Sequence, residues 1–173
     1  TDITTDTLGG LVSAITAAFP GATAGLINGE IQLEDDAAGY SQTNLNLAYV
    51  DAAGADGTFE LPNYFRLFGV GSQGMYNSDV EVFDSQGISH VLSAAFVRTT
   101  SPNVWDMVLT SISGGVDSVT DRRIKGMEFL TDGSFGGMSG GTPDAESFQL
   151  TYSNDPGLIR MVAVDLGNVG EYN

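Results

Sequence analysis

Ser139 lies in residues 137–141, Gly-Met-Ser-Gly-Gly, which match the G-x-S-x-G pattern of serine hydrolases. A nucleophilic serine needs a base, and the only histidine, His90, precedes it, against the Ser, acid, His order of α/β-hydrolases. The order His90, Asp106, Ser139 would suit a chymotrypsin-like triad, because geometry rather than chain order decides a triad. His90 however lies in an apolar, strand-like run, and residues 135–142 are dense in glycine. We therefore predict a flexible loop around Ser139 and assign no catalytic residue.

Residues 69–74, GVGSQG, match the G-x-G-x-x-G pattern of dinucleotide-binding loops. That mechanism needs a helix N-terminus after the glycines to hold the pyrophosphate. The chain continues instead with residues 75–78 and then a hairpin pattern. We predict no cofactor and no cofactor-binding residue.

Two pairs of carboxylates, Asp35 with Asp36 and Asp51 with Asp56, offer the oxygen ligands that calcium prefers. Neither pair has the spacing of an EF-hand loop. The chain also contains no cysteine and only one histidine, so a zinc site would need carboxylates almost alone. We predict solvated acidic turns and no metal site.

The charge of the chain excludes two classes of partner. Six Lys plus Arg against 22 Asp plus Glu give a formal net charge of −16, which repels phosphate backbones and anionic lipid. We therefore expect neither nucleic acid nor membrane as a partner, and no apolar run approaches the ~20 residues of a membrane span. The sole basic cluster, Arg122, Arg123 and Lys125, is expected to be either a solvated turn or a contact with an acidic patch on a neighbouring subunit.

Composition predicts a mainly β chain with a change of character near residue 50. The 23 glycines and the scarcity of Lys and Glu disfavour long helices and favour short strands joined by turns. Residues 1–50 contain no Lys or Arg, whereas the rest of the chain contains all six. We predict a small α+β module over residues 1–50 and an all-β domain over 51–173, with a linker at 51–62.

The first module is predicted to be one helix on a short sheet. Asp6 or Thr7 can cap a helix whose apolar residues recur at three- and four-residue steps until Pro20. Asn28-Gly29 then joins two strands in a hairpin, and the alternating residues 45–49 predict a third strand.

A central hairpin organises the second domain. Strands at 80–83 and 88–98 are joined by a turn from Asp84 to Gly87, and His90 is expected to be a satisfied polar residue in the second strand. Apolar residues on both faces of 158–165 predict a central strand there. The strand spacing favours a β-barrel or sandwich-like domain. Further strands are predicted at 64–70, 104–113, 125–130 and 148–152, and Phe83, Phe96, Trp105 and Phe129 are expected in the core.

A family resemblance rests on the order of residues in 80–105: an apolar strand, Phe-Asp-Ser-x-Gly, x-x-His-x-Leu, Phe-Val-Arg-Thr, then Asn-x-Trp. This order resembles the central domain of bacterial flagellar hook proteins. Residues 126–134, GMEFLTDGS, are similar to the closing hairpin of the same family. Residues 7–39 are similar to a short motif that recurs in flagellin and hook-type proteins.

The resemblance implies a structural subunit of the flagellar hook, the flexible extracellular joint that transmits torque from motor to filament. Its implied partners are other copies of itself in a helical polymer and the flagellar cap and junction proteins. The family's terminal heptad helices are missing from the sequence, so we expect an outer-domain fragment.

Two other functions remain open on the sequence. An adhesin-like or appendage domain could bind carbohydrate or protein through loops such as 133–143, and aromatic residues exposed in a groove would favour it. A hydrolase depends entirely on Ser139.

Overall fold

The computed structural model describes residues 7–47, 65–72, 74–139, 146–155 and 157–171. These residues form one α-helix and ten β-strands, so the mainly β prediction is confirmed. The elements are α1 (Leu8–Ala18), β1 (Ala22–Ile27), β2 (Glu30–Asp35), β3 (Met75–Phe83), β4 (Ser89–Arg98), β5 (Val104–Ile112), β6 (Val116–Asp121), β7 (Arg123–Phe129), β8 (Phe135–Met138), β9 (Ser147–Tyr152) and β10 (Arg160–Ala163).

The helix and the first hairpin form where the sequence predicts them. Thr7 caps α1, because its hydroxyl oxygen accepts a hydrogen bond from the Gly10 N–H at 3.1 Å. Strands β1 and β2 pair antiparallel around Asn28 and Gly29, whose φ angles of 52° and 86° are those of a two-residue hairpin turn. Ile15 of α1 is buried against this hairpin.

The remaining strands form two sheets with the main core between them. One sheet has the order β3-β4-β5-β7-β8 and curls into a half-barrel over the other, which has the order β10-β9-β6. Both sheets contribute side chains that are almost fully removed from water, which confirms a barrel- or sandwich-like domain. These include Leu92, Met107, Ile124 and Met127 from the first sheet and Phe148 and Leu150 from the second.

Backbone hydrogen bonds join the two sheets at two places. The carbonyl of Arg122, between β6 and β7, accepts a hydrogen bond from the Leu109 N–H of β5 at 2.8 Å. The chain beyond β10 reaches β8, where Gly170 donates to the carbonyl of Phe135 and Phe135 donates to that of Glu171. Among the described residues, β3 and β10 have no continuation of this kind and remain sheet edges.

Two irregular segments, residues 39–47 and 65–72, cover the outer face of the larger sheet, and we call them the strap. Tyr40, Leu67 and Val70 of the strap pack against Ala95, Val97 and Val108, which are fully buried. Where the two segments cross, the Ser41 N–H donates to the carbonyl of Gly71 at 3.1 Å. A Cβ at Gly71 would lie 2.5 Å from the Gly39 carbonyl oxygen, so the crossing needs glycine there.

The two predictions of a strand within the strap are wrong. The described residues of those two predictions, 45–47 and 65–70, are irregular. Leu45 is buried beside Ile15 but is not paired in a strand. The alternating pattern around it therefore predicted a buried side chain correctly and a β-strand wrongly. Residues 51–62, the predicted linker, lie outside the described residues.

Two strands of the β-domain were missed, and two assignments of burial are wrong. No strand was predicted at β6 or β8, and the flexible loop predicted around Ser139 begins instead as β8. Strand β10 is a sheet edge rather than a central strand, with Met161 56% exposed. Phe83 is 66% exposed because it lies on β3 next to Val82, whose side chain takes the core side of the strand. Phe96, Trp105 and Phe129 do pack against the core, as predicted.

Candidate functional site

The three residues of the possible triad are each engaged with other groups. The Ser139 hydroxyl donates to the carbonyl of Gly126 at 3.1 Å. His90 Nδ1 lies 3.0 Å from the Ser113 carbonyl oxygen, and its Nε2 lies 3.2 Å from Asp84 Oδ2. No hydrogen bond joins His90 to Ser139 or to Asp106, so these residues do not form a triad.

Asp106 is instead the centre of a buried polar cluster. Its carboxylate is 2% exposed on the side of β5 that faces the strap. Oδ1 accepts from the Gly126 N–H at 3.0 Å, while Oδ2 accepts from the Tyr40 hydroxyl and from Arg123 Nη1 at 3.1 Å. Arg123 Nη2 donates to the Ser41 carbonyl at 2.9 Å. We call this arrangement the Asp106 cluster, and it ties the strap to the sheet through charge-assisted hydrogen bonds.

Burial and the Asp106 cluster affect the hydroxyl of Tyr40. Desolvation, reinforced by the hydrogen bond to Asp106, raises the pKa of Tyr40 above its ordinary value of 10.0. The Tyr40 hydroxyl therefore stays protonated as a donor to the carboxylate. The ring itself lies 5.9 Å from the Arg123 guanidinium carbon.

A second polar cluster joins the turns at one end of the two sheets. Asp84 Oδ1 accepts from the N–H groups of Gln86 and Ile88, and Oδ2 faces His90 Nε2 and accepts from Asn154 Nδ2 at 2.6 Å. The His90 ring stacks on Tyr152 with 4.3 Å between ring centroids. We call this the Asp84 cluster. It confirms the predicted turn and the prediction that His90 is a satisfied polar residue in a strand.

The hydrogen bonds of the Asp84 cluster set the acidity of Asp84. Burial alone would raise its pKa, since desolvation disfavours the charged carboxylate. Hydrogen bonds from the Ile88 backbone, the His90 ring, the Gln86 backbone and Asn154 outweigh that effect and lower the pKa of Asp84 from 3.8 to about 2. Asp84 is thus a carboxylate held in its charged form by structural donors.

The acidic pair Asp35 and Asp36 and the glycine-rich segment are explained by local contacts within the fold. Asp35 accepts a hydrogen bond from the Thr43 hydroxyl, and Asp36 accepts one from Thr23. Asp51 and Asp56 lie outside the described residues. Of the glycine-rich residues 69–74, those at 69–72 belong to the strap, and the next element along the chain is β3 rather than a helix.

The three residues of the basic cluster have different surroundings in the folded chain. Arg122 is 6% exposed and Arg123 is held by Asp106, so only Lys125 of the three is exposed. A contact between this cluster and a neighbouring subunit therefore has one available charge rather than three.

The described residues contain no group of three or more His, Cys, Asp or Glu side chains that could hold a metal ion. Within the same residues there is no helix with the length and apolar character that crossing a membrane requires.

Among the residues that the structure describes, the two exposed aromatic side chains of β3 do not share one groove. Tyr76 and Phe83 are seven positions apart on β3, so they lie on opposite faces and about 23 Å apart along the strand. Phe68 lines a cavity of about 530 Å³ between β2 and the strap. The Arg66 guanidinium carbon lies 5.4 Å from the centre of the Phe68 ring, so one face of that ring is occupied. The aromatic platform of a glycan-binding groove is not assembled on β3.

One family model matches most of the chain. The model described as the flagellar basal body protein FlaE D2 domain matches residues 55–169, a range that contains all strands from β3 to β10. The chain belongs to this family. The resemblance carried by residues 80–105 and 126–134 is therefore confirmed, and the family gives the chain a flagellar hook-type structural role. No curated protein and no solved structure matches the chain.

The Asp106 cluster is the part of this hook domain that sequence reasoning missed. Asp106 is the one charged residue in Val104–Ile112 and has apolar neighbours on both sides, and such an isolated acid in a strand pattern is a signal of a buried, paired carboxylate. Its partners Tyr40 and Arg123 are 66 and 17 residues away, so the sequence did not indicate them.

Proposed function

We propose that the chain supplies an outer domain of the flagellar hook subunit, in the flexible joint that transmits torque from the motor to the filament. The observation that carries this proposal is the family match over residues 55–169. The family gives a hook-type structural role. We further propose that the chain acts in the flexible joint and that this joint is extracellular.

The packing and hydrogen bonding of the domain support the proposal that it bears mechanical load. Two packed sheets surround one core, and the Asp106 and Asp84 clusters fix irregular segments and turns to them with hydrogen bonds. A net charge of −16 makes copies repel one another at long range. Contacts between copies are then expected to be small and wet, and to break and re-form as the joint turns.

The proposed partners are other copies of the chain in a helical polymer, together with flagellar cap and junction proteins. We also propose two units, a small α+β module in residues 1–50 and the β-domain in 51–173. Separate buried clusters support the division, since Ile15, Ala24 and Leu45 pack together away from the main core. The strap then connects the two units.

Immunogold electron microscopy of the source cells tests the proposal, with an antibody raised against the chain. Label confined to a short curved segment at the base of each flagellum is the expected result. A strain lacking the gene serves as the control and should lose both the label and motility, and the restored gene should return both. Label spread over the cell wall would contradict the hook proposal and favour the adhesin-like alternative, for which glycan binding would be measured next.

A further inference from the structure

Strand β3 is a long sheet edge that the described part of the chain leaves uncovered. It has nine residues, of which seven are exposed, and it ends the order of its sheet. The exposed side chains include Met75, Tyr76, Val80 and Phe83. Natural proteins usually cover or shorten such edges, because a row of unpaired N–H and C=O groups pairs readily with another strand. This edge is therefore suited to strand addition.

Charge restricts which strand can occupy the β3 edge. The strand carries Asp79 and Glu81 and no basic residue. Two β3 strands paired with each other would bring these acids together in a chain that already carries a net charge of −16. The occupant is therefore expected to be neutral or basic.

Strand β10 has the required properties. It ends the smaller sheet, carries Arg160 and no acidic residue, and exposes Met161. Leu158 and Ile159, which lead into it, are also exposed. Arg160 pairs with Asp155 within the chain, but both side chains are about one-third exposed. An exposed ion pair contributes little stability, so the guanidinium can exchange partners at low cost.

The other end strands fit less well. Strand β6 carries Asp117 and Asp121, and Arg122 at its end is hydrogen-bonded to β5. Strand β8 is continued by Gly170 and Glu171. Strand β2 is acidic, and β1 is neutral, so it would not repel β3 but offers no charge to pair with Asp79 or Glu81. Among the strands that end the described sheets, β10 alone combines a basic residue with the absence of acids.

We propose that β3 of one copy pairs edge to edge with β10 of a second copy, with Arg160 facing Asp79 or Glu81. The inference rests on the proposed function, since it names a contact between copies in the hook. Because β3 and β10 are different surfaces, a copy that meets different neighbours through them makes the heterologous contacts that a helical polymer needs.

Disulfide trapping tests the pairing without background, because the chain has no cysteine. Paired strands bring opposite Cα atoms within about 5.5 Å, which suits a disulfide. If Arg160 faces Asp79 or Glu81, Met161 lies on the other face of the joined strands, with Tyr76, Ser78 and Val80. Tyr76→Cys, Ser78→Cys and Val80→Cys, each co-expressed with a Met161→Cys copy, therefore sample that face of β3 and leave both acids in place. After mild oxidation of assembled hooks, we expect at least one pair to give a cross-linked species about tenfold more abundant than the control. The control is Asp117→Cys on β6 with the same Met161→Cys copy.

Charge reversal provides a second measurement. Arg160→Glu is expected to reduce the cross-link several-fold, and Glu81→Arg or Asp79→Arg in the other copy is expected to restore it. No excess over the Asp117→Cys control at any of the three positions would overturn the pairing.

Immunogold labelling of the same preparations separates this inference from the proposed function. Label at hooks without the cross-link would overturn the β3–β10 pairing and leave the hook proposal standing. A cross-link in chains that never reach the hook would support the pairing and overturn the proposed function.

Discussion

Arg123 Nη1 lies 3.1 Å from Asp106 Oδ2 in a setting where the two side chains are only 11% and 2% exposed. Taking both charges out of water is costly, and further hydrogen bonds to the two side chains offset part of that cost. Here the Tyr40 hydroxyl, the Gly126 N–H and the Ser41 carbonyl complete the set. The pair thus joins two strands of the sheet to the strap.

Arg123→Met should be strongly destabilising. The methionine keeps much of the aliphatic volume but leaves the Asp106 carboxylate buried without its charge partner, which typically costs about 3–5 kcal/mol. Urea unfolding followed by circular dichroism measures the loss in the free energy of unfolding.

Arg160→Met is the matched control, because it removes the same side chain from the exposed ion pair with Asp155. A surface pair of this kind is worth about 0–1 kcal/mol. Equal losses for the two variants would show that the Arg123 pair is not the structural link described here.

Tyr40→Phe should change how stability depends on alkaline pH. Desolvation and the hydrogen bond to Asp106 raise the pKa of Tyr40 above 10.0 in the folded chain, so the unfolded chain loses this proton first. This contribution to stability is complete below pH 10 and is lost as the pH rises through the folded pKa. We expect the urea midpoint to fall less steeply as the pH rises above about 10 in Tyr40→Phe than in the original chain.

The same variant loses a donor to a buried carboxylate, which at neutral pH should cost about 1–3 kcal/mol. Tyr76→Phe is the control, since Tyr76 is 70% exposed. Parallel alkaline slopes for Tyr40→Phe and the original chain would contradict the role given to the Tyr40 hydroxyl.

Asp84→Asn should weaken the acid dependence of stability. Hydrogen bonds outweigh desolvation and hold the pKa of Asp84 at about 2 in the folded chain, against 3.8 as its ordinary value. The unfolded chain therefore binds the proton first, and the contribution of Asp84 is complete above pH 3.8 and is lost as the pH falls through about 2. Urea midpoints measured between pH 4.5 and 2 should fall less steeply in Asp84→Asn.

Asp117→Asn removes an exposed carboxylate on β6 and serves as the control for Asp84→Asn. An acid slope that is unchanged in Asp84→Asn, or reduced equally in both variants, would show that the Asp84 cluster does not hold its carboxylate as described.

Local patterns predicted the elements whose causes are local. The cap at Thr7, the Asn28-Gly29 hairpin and the Asp84 turn each depend on residues within four positions of one another, and all three are confirmed. Strand β8 was missed because its two glycines are typical of a loop, although pairing with β7 makes it a strand.

Long-range contacts set the features that the sequence did not indicate. Apolar residues on both faces of β10 suggested a central strand, yet its sheet ends there. Phe83 is an aromatic residue of the kind expected in the core, yet its side chain is exposed. Only one side of its edge strand faces the core, and Phe83 lies on the other side. The partners of Asp106 depend in the same way on how distant segments meet in space.

Gly114→Ala should be more destabilising than its backbone angle alone explains. Gly114 has a φ of 91°, and a Cβ there would overlap Nδ1 of the buried His90. The left-handed backbone costs an alanine about 1–2 kcal/mol, and the displaced His90 ring adds an overpacking cost of about 1–3 kcal/mol. Urea unfolding measures the sum.

Gly133→Ala isolates the backbone term of the Gly114 prediction. Gly133 also has a φ of 91°, but a Cβ there meets no atom within 4 Å. The difference between the two variants therefore reports the contact with His90, and we expect Gly114→Ala to lose at least 1 kcal/mol more. Equal losses would mean that His90 shifts freely, and the Asp84 cluster would then not hold the two turns together as its hydrogen bonds imply.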